Sequence, residues 1–487
     1  MQVFDPLATP RRYFWILAAL SAILLLAPIR KGDLAGYDDA RYALVAKHVA
    51  LSGHWLEIES NGGAAFEHPP LFSWMQAALF IPFGLSDALA KLPSALCGVG
   101  VILLVAWLGR RLTDDAFTGV LAMFVMATSV YFIKYAARAM TDVPFTFFVL
   151  AAVCAWALGE DDPRWLLLAG LFAACAQLTR ALAGFSVPLF FLLDCLWNRR
   201  RFPPRYLIGT AAICFLPPAA WYAQWIWRYG QTFFYWHAIY MNQEVTGSLT
   251  PAWRRYTGAF EYLWMIAKSY WPWLPAMVAG LVLAIRKRDS QSRLLIAWIA
   301  AVYVLCAITK SRVLRYMLPA YPAFAILSAI ALMQLAPERY IRTTLRVLTP
   351  ILAVLVIFVA IRPPVNLHAV DTRRMALAST AATNPGELIT FYDDGAPRFD
   401  EMNEMLWYGD RYFVPIWEAS DLAKTLEKPR SHIFVMDVAS YRAQVENRMP
   451  NEIVARSGHL ICFRLFKPIP CSDSKTFGDH SPCRSPA

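Results

Sequence analysis

Three stretches, Ile16–Ile29, Val101–Leu108 with its flanks, and Val347–Ile361, are long, apolar and almost free of charge. A helix needs about 20 mostly apolar residues to cross a bilayer, because in hydrocarbon every backbone polar group must be paired within the segment. Such runs recur along most of the chain, which therefore reads as an all-α polytopic membrane protein. Composition agrees. Of 487 residues, 58% are hydrophobic and 17% charged, and the mean hydropathy is +0.40, whereas soluble domains carry about 45–50% apolar and about 25% charged residues. A soluble enzyme, a disordered chain and a disulfide scaffold are excluded.

The apolar runs fall at 13–29, 88–109, 115–133, 143–159, 165–180, 182–197, 206–226, 271–285, 294–309, 316–335 and 347–362, giving about eleven expected spans. Arg11 and Arg12 precede the first run with no convincing cleavage site after it, so it reads as an uncleaved anchor with a cytoplasmic N-terminus. Arg110–Arg111, Arg199–Arg201 with Arg205, Arg286–Arg288 with Arg293, and Arg339, Arg342 and Arg346 then all fall on the cytoplasmic side, as the positive-inside rule requires. The net charge of +11 resides mostly in these short loops. It forms no basic stripe and implies no nucleic-acid partner.

The expected outer loops, 30–87 and 227–270, are long and mix acids, bases, His, Trp and Tyr. Asp39–Leu51 places Tyr42, Val45 and Val49 near one helical face, as in a helix on the membrane surface, and Leu71–Phe83 reads as a second apolar or interfacial helix. Residues 1–362 form the expected transmembrane domain, with 30–87 as its catalytic outer loop. Residues 363–471 read as a small extracytoplasmic α/β domain, with strands near Asn384–Tyr392, Ser431–Asp437 and Leu460–Phe466 and a helix near Leu422–Lys428; 472–487 read as a disordered tail. Cys97, Cys154, Cys175, Cys195, Cys214 and Cys306 lie in apolar runs and read as core residues. Cys462, Cys471 and Cys483 leave a disulfide open on an extracytoplasmic side.

The acids and bases concentrate at one mouth of the helical bundle. Tyr37-Asp38-Asp39-Ala40-Arg41-Tyr42 follows the first span; paired carboxylates with an arginine can bind a phosphate headgroup or metal, supply a general base, or simply cap a helix. A second group is Phe66-Glu67-His68-Pro69-Pro70-Leu71 with Trp74, and a third is Arg138 with Thr141-Asp142-Val143-Pro144. Arg180 lies in a tight outer turn. Lys310-Ser311-Arg312 with Arg315-Tyr316 puts positive charge outside, against the positive-inside tendency, which points to an anionic ligand.

The order of these motifs resembles that of the bacterial membrane glycosyltransferases of the GT-C fold, which include the lipid A aminoarabinose transferases and relatives of the protein O-mannosyltransferases. The resemblance runs through Asp38-Asp39-x-Arg-Tyr-Ala, Ser52-Gly53-His54-Trp55, Glu67-His68-Pro69-Pro70-Leu71-x-x-Trp74, Arg138…Asp142-x-Pro144, Leu178-Thr179-Arg180, Trp271-Pro272-Trp273 and Lys310…Arg315-Tyr316-x-Leu-Pro319, covering roughly residues 10–335. It implies a catalytic base at Asp38, with Asp142 as a second catalytic carboxylate. It implies substrate contacts at Asp39, Arg41, Tyr42, Glu67, His68, Arg180, Lys310, Arg315 and Tyr316. His68 stands where the family's Glu-Lys-Pro motif carries lysine, replacing a permanent charge by a titratable donor or metal ligand. His237 aligns approximately with a family histidine linked to metal binding, so Glu67 and His237 are the candidate ligands for a divalent ion.

The implied reaction moves a sugar from a polyprenyl (undecaprenyl) phosphate donor to lipid A, another envelope glycolipid or glycan, or a protein, on the periplasmic face of the bacterial inner membrane. A carboxylate takes the acceptor's proton, cations stabilise the leaving phosphate, and an apolar groove holds the lipid. A single displacement inverts the anomeric centre, and no nucleotide cofactor is needed. A transporter or lipid flippase for an anionic lipid-linked substrate is the rival reading, but it would place ionisable groups at mid-membrane in discontinuous helices. A non-catalytic scaffold leaves the clustered carboxylates unexplained.

Overall fold

The computed structural model describes residues 8–34, 37–65, 68–237, 260–308, 313–361, 367–384, 386–392, 399–409, 411–416, 418, 421–422 and 432–466. The chain divides into two compact units, residues 1–366 and 367–487.

The first unit is helical. Its elements are α1 (Ala8–Leu26), α2 (Tyr37–Ser52), a two-residue-per-strand hairpin of β1 (Glu59–Ser60) and β2 (Gly63–Ala64), α3 (Leu71–Phe83), α4 (Asp87–Thr113), α5 (Ala116–Ala127), α6 (Val130–Ala136), α7 (Asp142–Leu158), α8 (Trp165–Thr179), α9 (Ala181–Gly184), α10 (Ser186–Asn198) and α11 (Pro204–Tyr229). Beyond it come α12 (Phe260–Ser269), α13 (Leu274–Lys287), α14 (Ser290–Ile308), a 3-10 turn at Leu314–Ala320, α15 (Tyr321–Leu335) and α16 (Glu338–Ile361). Local chemistry sets several starts. Ser86 Oγ accepts from Leu89 N, and the Asp115 carboxylate accepts from Phe117 N and Thr118 N, satisfying first-turn amides that have no helical partner.

Each of the eleven apolar runs is helical along most of its described length, but among the described residues seven helices are long and apolar enough to cross a membrane, or eight if the pair α5–α6, bent by 68°, counts as one. The pair α7 and α8 is shorter, and α7 is buried along nearly all its length. These helices lie within the bundle: α7 packs on α4 and α8, and α8 on α11. A helix that is apolar all round is what such a position demands. The core runs through Leu17, Val105, Met123, Phe132, Trp156, Trp298 and Phe324.

The α2 face that reads as membrane-facing turns inward instead. Tyr42, Val45 and Val49 are buried, and Val45 joins Ile58, Ala65, Trp221, Trp225 and Phe233 in a cluster where the first-loop hairpin meets the end of α11. An apolar stripe fixes only that a face is buried, not what covers it.

The second unit carries a five-stranded mixed sheet in the order β4-β3-β5-β7-β6, built from β3 (Ile389–Tyr392), β4 (Phe413–Ile416), β5 (Ile433–Asp437), β6 (Asn451–Ser457) and β7 (Leu460–Leu465). The pairs β3–β4 and β3–β5 are parallel, and β5–β7 and β6–β7 antiparallel. A parallel pair needs a crossover, which α18 (Phe399–Tyr408) supplies between β3 and β4; α17 (Leu367–Ala381) packs on β6 and β7, and α19 (Val438–Gln444) follows β5. Three strands match the expected ones, while β4 and β6 are additional. Most of the expected helix at 422–428, Cys471 and Cys483, and the tail lie outside the described residues. Cys462 is a free thiol fully buried in β7, a core residue like Cys97, Cys154, Cys214 and Cys306 in the helices, while Cys175 and Cys195 are half-buried.

Candidate functional site

The first turn of α2 carries Asp38 and Asp39, where the free amides and positive dipole end of a helix favour negative charge. Successive helical residues point about 100° apart, and the two carboxylates part company. Asp38, partly exposed, accepts from Arg315 Nη2 at 2.9 Å. Asp39 is 2% exposed and accepts from Arg138 Nε at 3.1 Å. Burial pushes the Asp39 carboxyl up to about 6, against the pull of Arg138. Asp39, read as a substrate contact, therefore faces the protein interior.

Asp142 opens α7 and is 1% exposed. Its Oδ1 accepts from Arg180 Nη1 and lies 3.8 Å from Arg315 Nε, while Oδ2 is buried without a hydrogen-bond partner among the described residues. The Arg180 guanidinium sits 4.5 Å from the centre of the Tyr316 ring, and that of Arg315 lies 5.9 Å from it. Stacking on an aromatic face keeps an arginine oriented without using its donors. Residues from four separate segments thus form one chain of charges, Asp38–Arg315–Asp142–Arg180, with Tyr316 beneath.

Beside it a small cleft is lined by Arg41, Tyr42, Val45, Ile58, Ala65, His68, Pro69 and Ser73. Tyr42 meets Phe72 edge-on at 5.4 Å and the His68 ring at 5.1 Å, and its hydroxyl lies 3.4 Å from Thr141 Oγ1. Burial, reinforced by the Asp38 charge, raises the Tyr42 hydroxyl above its ordinary range. Burial and then the positive charges of Arg41, Arg180 and Arg315 hold His68 well below the usual histidine value, so its ring is neutral. Three arginines within electrostatic reach of one neutral imidazole, balanced in part by Asp38 and Asp142, leave a pocket of net positive charge suited to a phosphate.

Of the sequence-derived candidates, Asp38, Arg41, Tyr42, His68, Asp142, Arg180, Arg315 and Tyr316 come together here. Glu67 and Lys310 lie outside the described residues. His237 stacks on Phe233 at 5.0 Å and meets Tyr222 at 5.8 Å. Among the described residues the metal-type donors that converge are instead His48, Glu57 and Glu59, with ligand atoms within 4.8 Å of one another. Glu57 is already held by Arg228 at 2.5 Å and His54 at 3.2 Å, a poor fit for a cation. Sequence reasoning gave Arg138 no role of its own. Its spacing from Asp142 placed it in a motif, but its partner Asp39 is 99 residues away and nothing local signals the pair.

Residues 67–227 match the family model for dolichyl-phosphate-mannose-protein mannosyltransferase. The chain is 26% identical over 343 residues to the undecaprenyl phosphate-alpha-4-amino-4-deoxy-L-arabinose arabinosyl transferase of Edwardsiella ictaluri, covering 67% of this chain and 60% of that protein. It spans about three fifths of the length of the curated relatives it matches. The structure of ArnT from Cupriavidus metallidurans in the apo state superposes with a TM-score of 0.75 at 16% identity, over 92% of this chain and 96% of that one; the same protein bound to undecaprenyl phosphate gives 0.73. The oligosaccharyltransferase of Archaeoglobus fulgidus, tethered to an acceptor peptide, gives 0.55 at 14% identity over 91% of this chain and 71% of that one. The resemblance to GT-C glycosyltransferases is borne out, and the fold is theirs.

Proposed function

We propose that this chain is a multi-pass inner-membrane glycosyltransferase that moves a sugar from a polyprenyl phosphate to an envelope glycolipid, with its site and C-terminal unit on the periplasmic side. The observation that carries this reading is the convergence of Asp38, Arg315, Asp142 and Arg180 beside the Arg41–His68 cleft. The name of the Edwardsiella ictaluri relative favours an undecaprenyl-phosphate-linked aminoarabinose as the donor, and lipid A is the envelope glycolipid on which we test the transfer.

In the reaction, the acceptor oxygen or nitrogen attacks the anomeric carbon as Asp38 takes its proton. The bond from that carbon to the phosphate oxygen breaks, and the polyprenyl phosphate leaves with the electron pair. Arg41, Arg180 and Arg315 answer the charge that develops on the phosphate, and fixed cations in a partly dry pocket do so without reorganising. In the free protein Arg315 already neutralises Asp38. A phosphate entering the pocket competes for that guanidinium and releases the Asp38 carboxylate to face the acceptor. Asp142, enclosed and paired to both arginines, acts by holding them in place, and the donor sugar requires no nucleotide.

A transporter reading fares less well. Among the described residues, the buried ionisable groups of the bundle, Asp39, Lys91, Asp142 and Asp194, lie near helix ends and not at mid-span. The test uses the purified chain in lipid nanodiscs with undecaprenyl-phosphate-linked aminoarabinose and lipid A. Wild type is expected to form the mass-shifted lipid, and Asp38→Asn, folded and inserted, to lose at least about 1000-fold in rate, as for removal of an essential base. Near-normal turnover by Asp38→Asn overturns the assignment of the base.

A further inference from the structure

Asp39 is buried, with Arg138 against it and the charge of Lys91 acting on it from α4. Arg138, in the turn between α6 and α7, donates to its Oδ2 at 3.1 Å and lies 5.9 Å over the Tyr135 ring. From α4, Ser94 Oγ donates to Met140 O at 2.6 Å, within that same turn, and Lys91 Nζ donates to Gly32 O at 2.5 Å and Asp33 O at 3.2 Å, ahead of α2. The turn ends at Thr141, whose Oγ1 meets the Tyr42 hydroxyl, and the next residue is Asp142. The segments that carry Asp38 and Asp142 are therefore cross-linked at the edge of the cleft by Tyr42 and Thr141, and behind it by Asp39 and Arg138.

We propose that Arg138 and Asp39 are a positioning pair that locks the helix bearing Asp38 to the turn bearing Asp142, and that the pair sets the rate of the transfer step and not the affinity for the donor phosphate. This rests on the glycosyltransferase reading above. Three observations carry it. Asp39, at 2% exposure, cannot meet a substrate that approaches through the cleft. Its helical offset from Asp38 means that fixing one rotates the other: a twist of α2 that freed Asp39 would swing Asp38 off Arg315. And a buried ion pair contributes little net stability compared with apolar residues of similar size, so its value here is geometric. A displacement of about 1 Å in a reacting group costs roughly 100-fold in rate, which is the size of effect expected from releasing this lock.

The experiment combines two readouts on the full chain in nanodiscs. Turnover uses undecaprenyl-phosphate-linked aminoarabinose with lipid A, affinity uses undecaprenyl phosphate alone, and hydrogen exchange follows the peptides spanning residues 37–45 and 137–146. Arg138→Met and Asp39→Asn should each lower kcat by about 100-fold with Kd for undecaprenyl phosphate changed less than about 3-fold. Both peptides should exchange faster together, and Arg138→Lys should restore most of kcat. The double variant Asp39→Asn/Arg138→Met removes both charges and leaves neither orphaned, so it should recover melting temperature but not turnover. An Arg138→Met enzyme with kcat unchanged, a parallel loss of kcat and donor affinity, or a double variant with full turnover overturns the proposal. Failure of wild type to turn over the lipid-linked sugar would count against the glycosyltransferase reading alone. The exchange data still decide the lock, which is overturned if only residues 137–146 respond.

Discussion

Arg315 serves two carboxylates, Asp38 and Asp142, and Arg180 shares the second, so the four side chains cannot be substituted independently. Arg41 lines the cleft with His68. Arg41→Ala should therefore leave the fold intact and weaken undecaprenyl phosphate binding by about 10- to 100-fold, the worth of one charge-assisted contact; intrinsic tryptophan fluorescence on titration checks this. Asp39 gives a second prediction. The folded chain holds its proton up to about 6, whereas the unfolded chain releases it near the ordinary carboxylate value, so this group's contribution to stability is fully present below that ordinary value and is lost as pH rises through about 6. The melting temperature of wild type relative to Asp39→Asn should accordingly fall between pH 4 and pH 7, by an amount of order 2–3 kcal/mol in stability. Melting curves that stay parallel across that range contradict the burial of this carboxylate. The residues that touch the cleft were legible in the sequence because their chemistry is exposed as motif. The inward pairing of Asp39 was not, because it depends on which face of α2 the rest of the chain covers.

Helix packing explains where element-level reading succeeded and where it stopped. Apolar runs identify helices whatever surrounds them, so all eleven were found. Whether a helix of fewer than 18 residues, such as α7 or α8, crosses a bilayer or fills the bundle is decided by its neighbours. In the second unit, β4 contains Pro415 and β6 carries Glu452 and Arg456 among its alternating positions; both are edge strands, which tolerate proline and charge and so give weak sequence signals. Close approach of backbones is equally hidden. A Cβ at Gly280 of α13 would collide with the backbone carbonyl of Leu327 in α15, which no rotamer change relieves. Gly280→Ala should separate the two helices and destabilise the bundle by about 1–3 kcal/mol. Val278→Ala on the exposed side of the same helix, where Val278 is 47% exposed, should change little. Thermal unfolding of the two variants side by side checks the contrast.

At the scale of the first unit, two carboxylates and three arginines from separate segments converge beside one cleft of an apolar helical bundle, the set that lipid-linked sugar transfer would use. Uncharged helix centres and the five-stranded unit at the C-terminal end complete an architecture shared with ArnT over nearly its whole length. That likeness defines the fold; the chemistry rests on the side chains that converge there. The most direct measurement is mass spectrometry of envelope glycolipids and proteins from cells carrying either the wild-type chain or Asp38→Asn, with both chains confirmed in the membrane. A sugar-sized mass on a glycolipid, present with wild type and absent with Asp38→Asn, is the predicted result. The same modification in both strains, or no modification in either, would contradict the account.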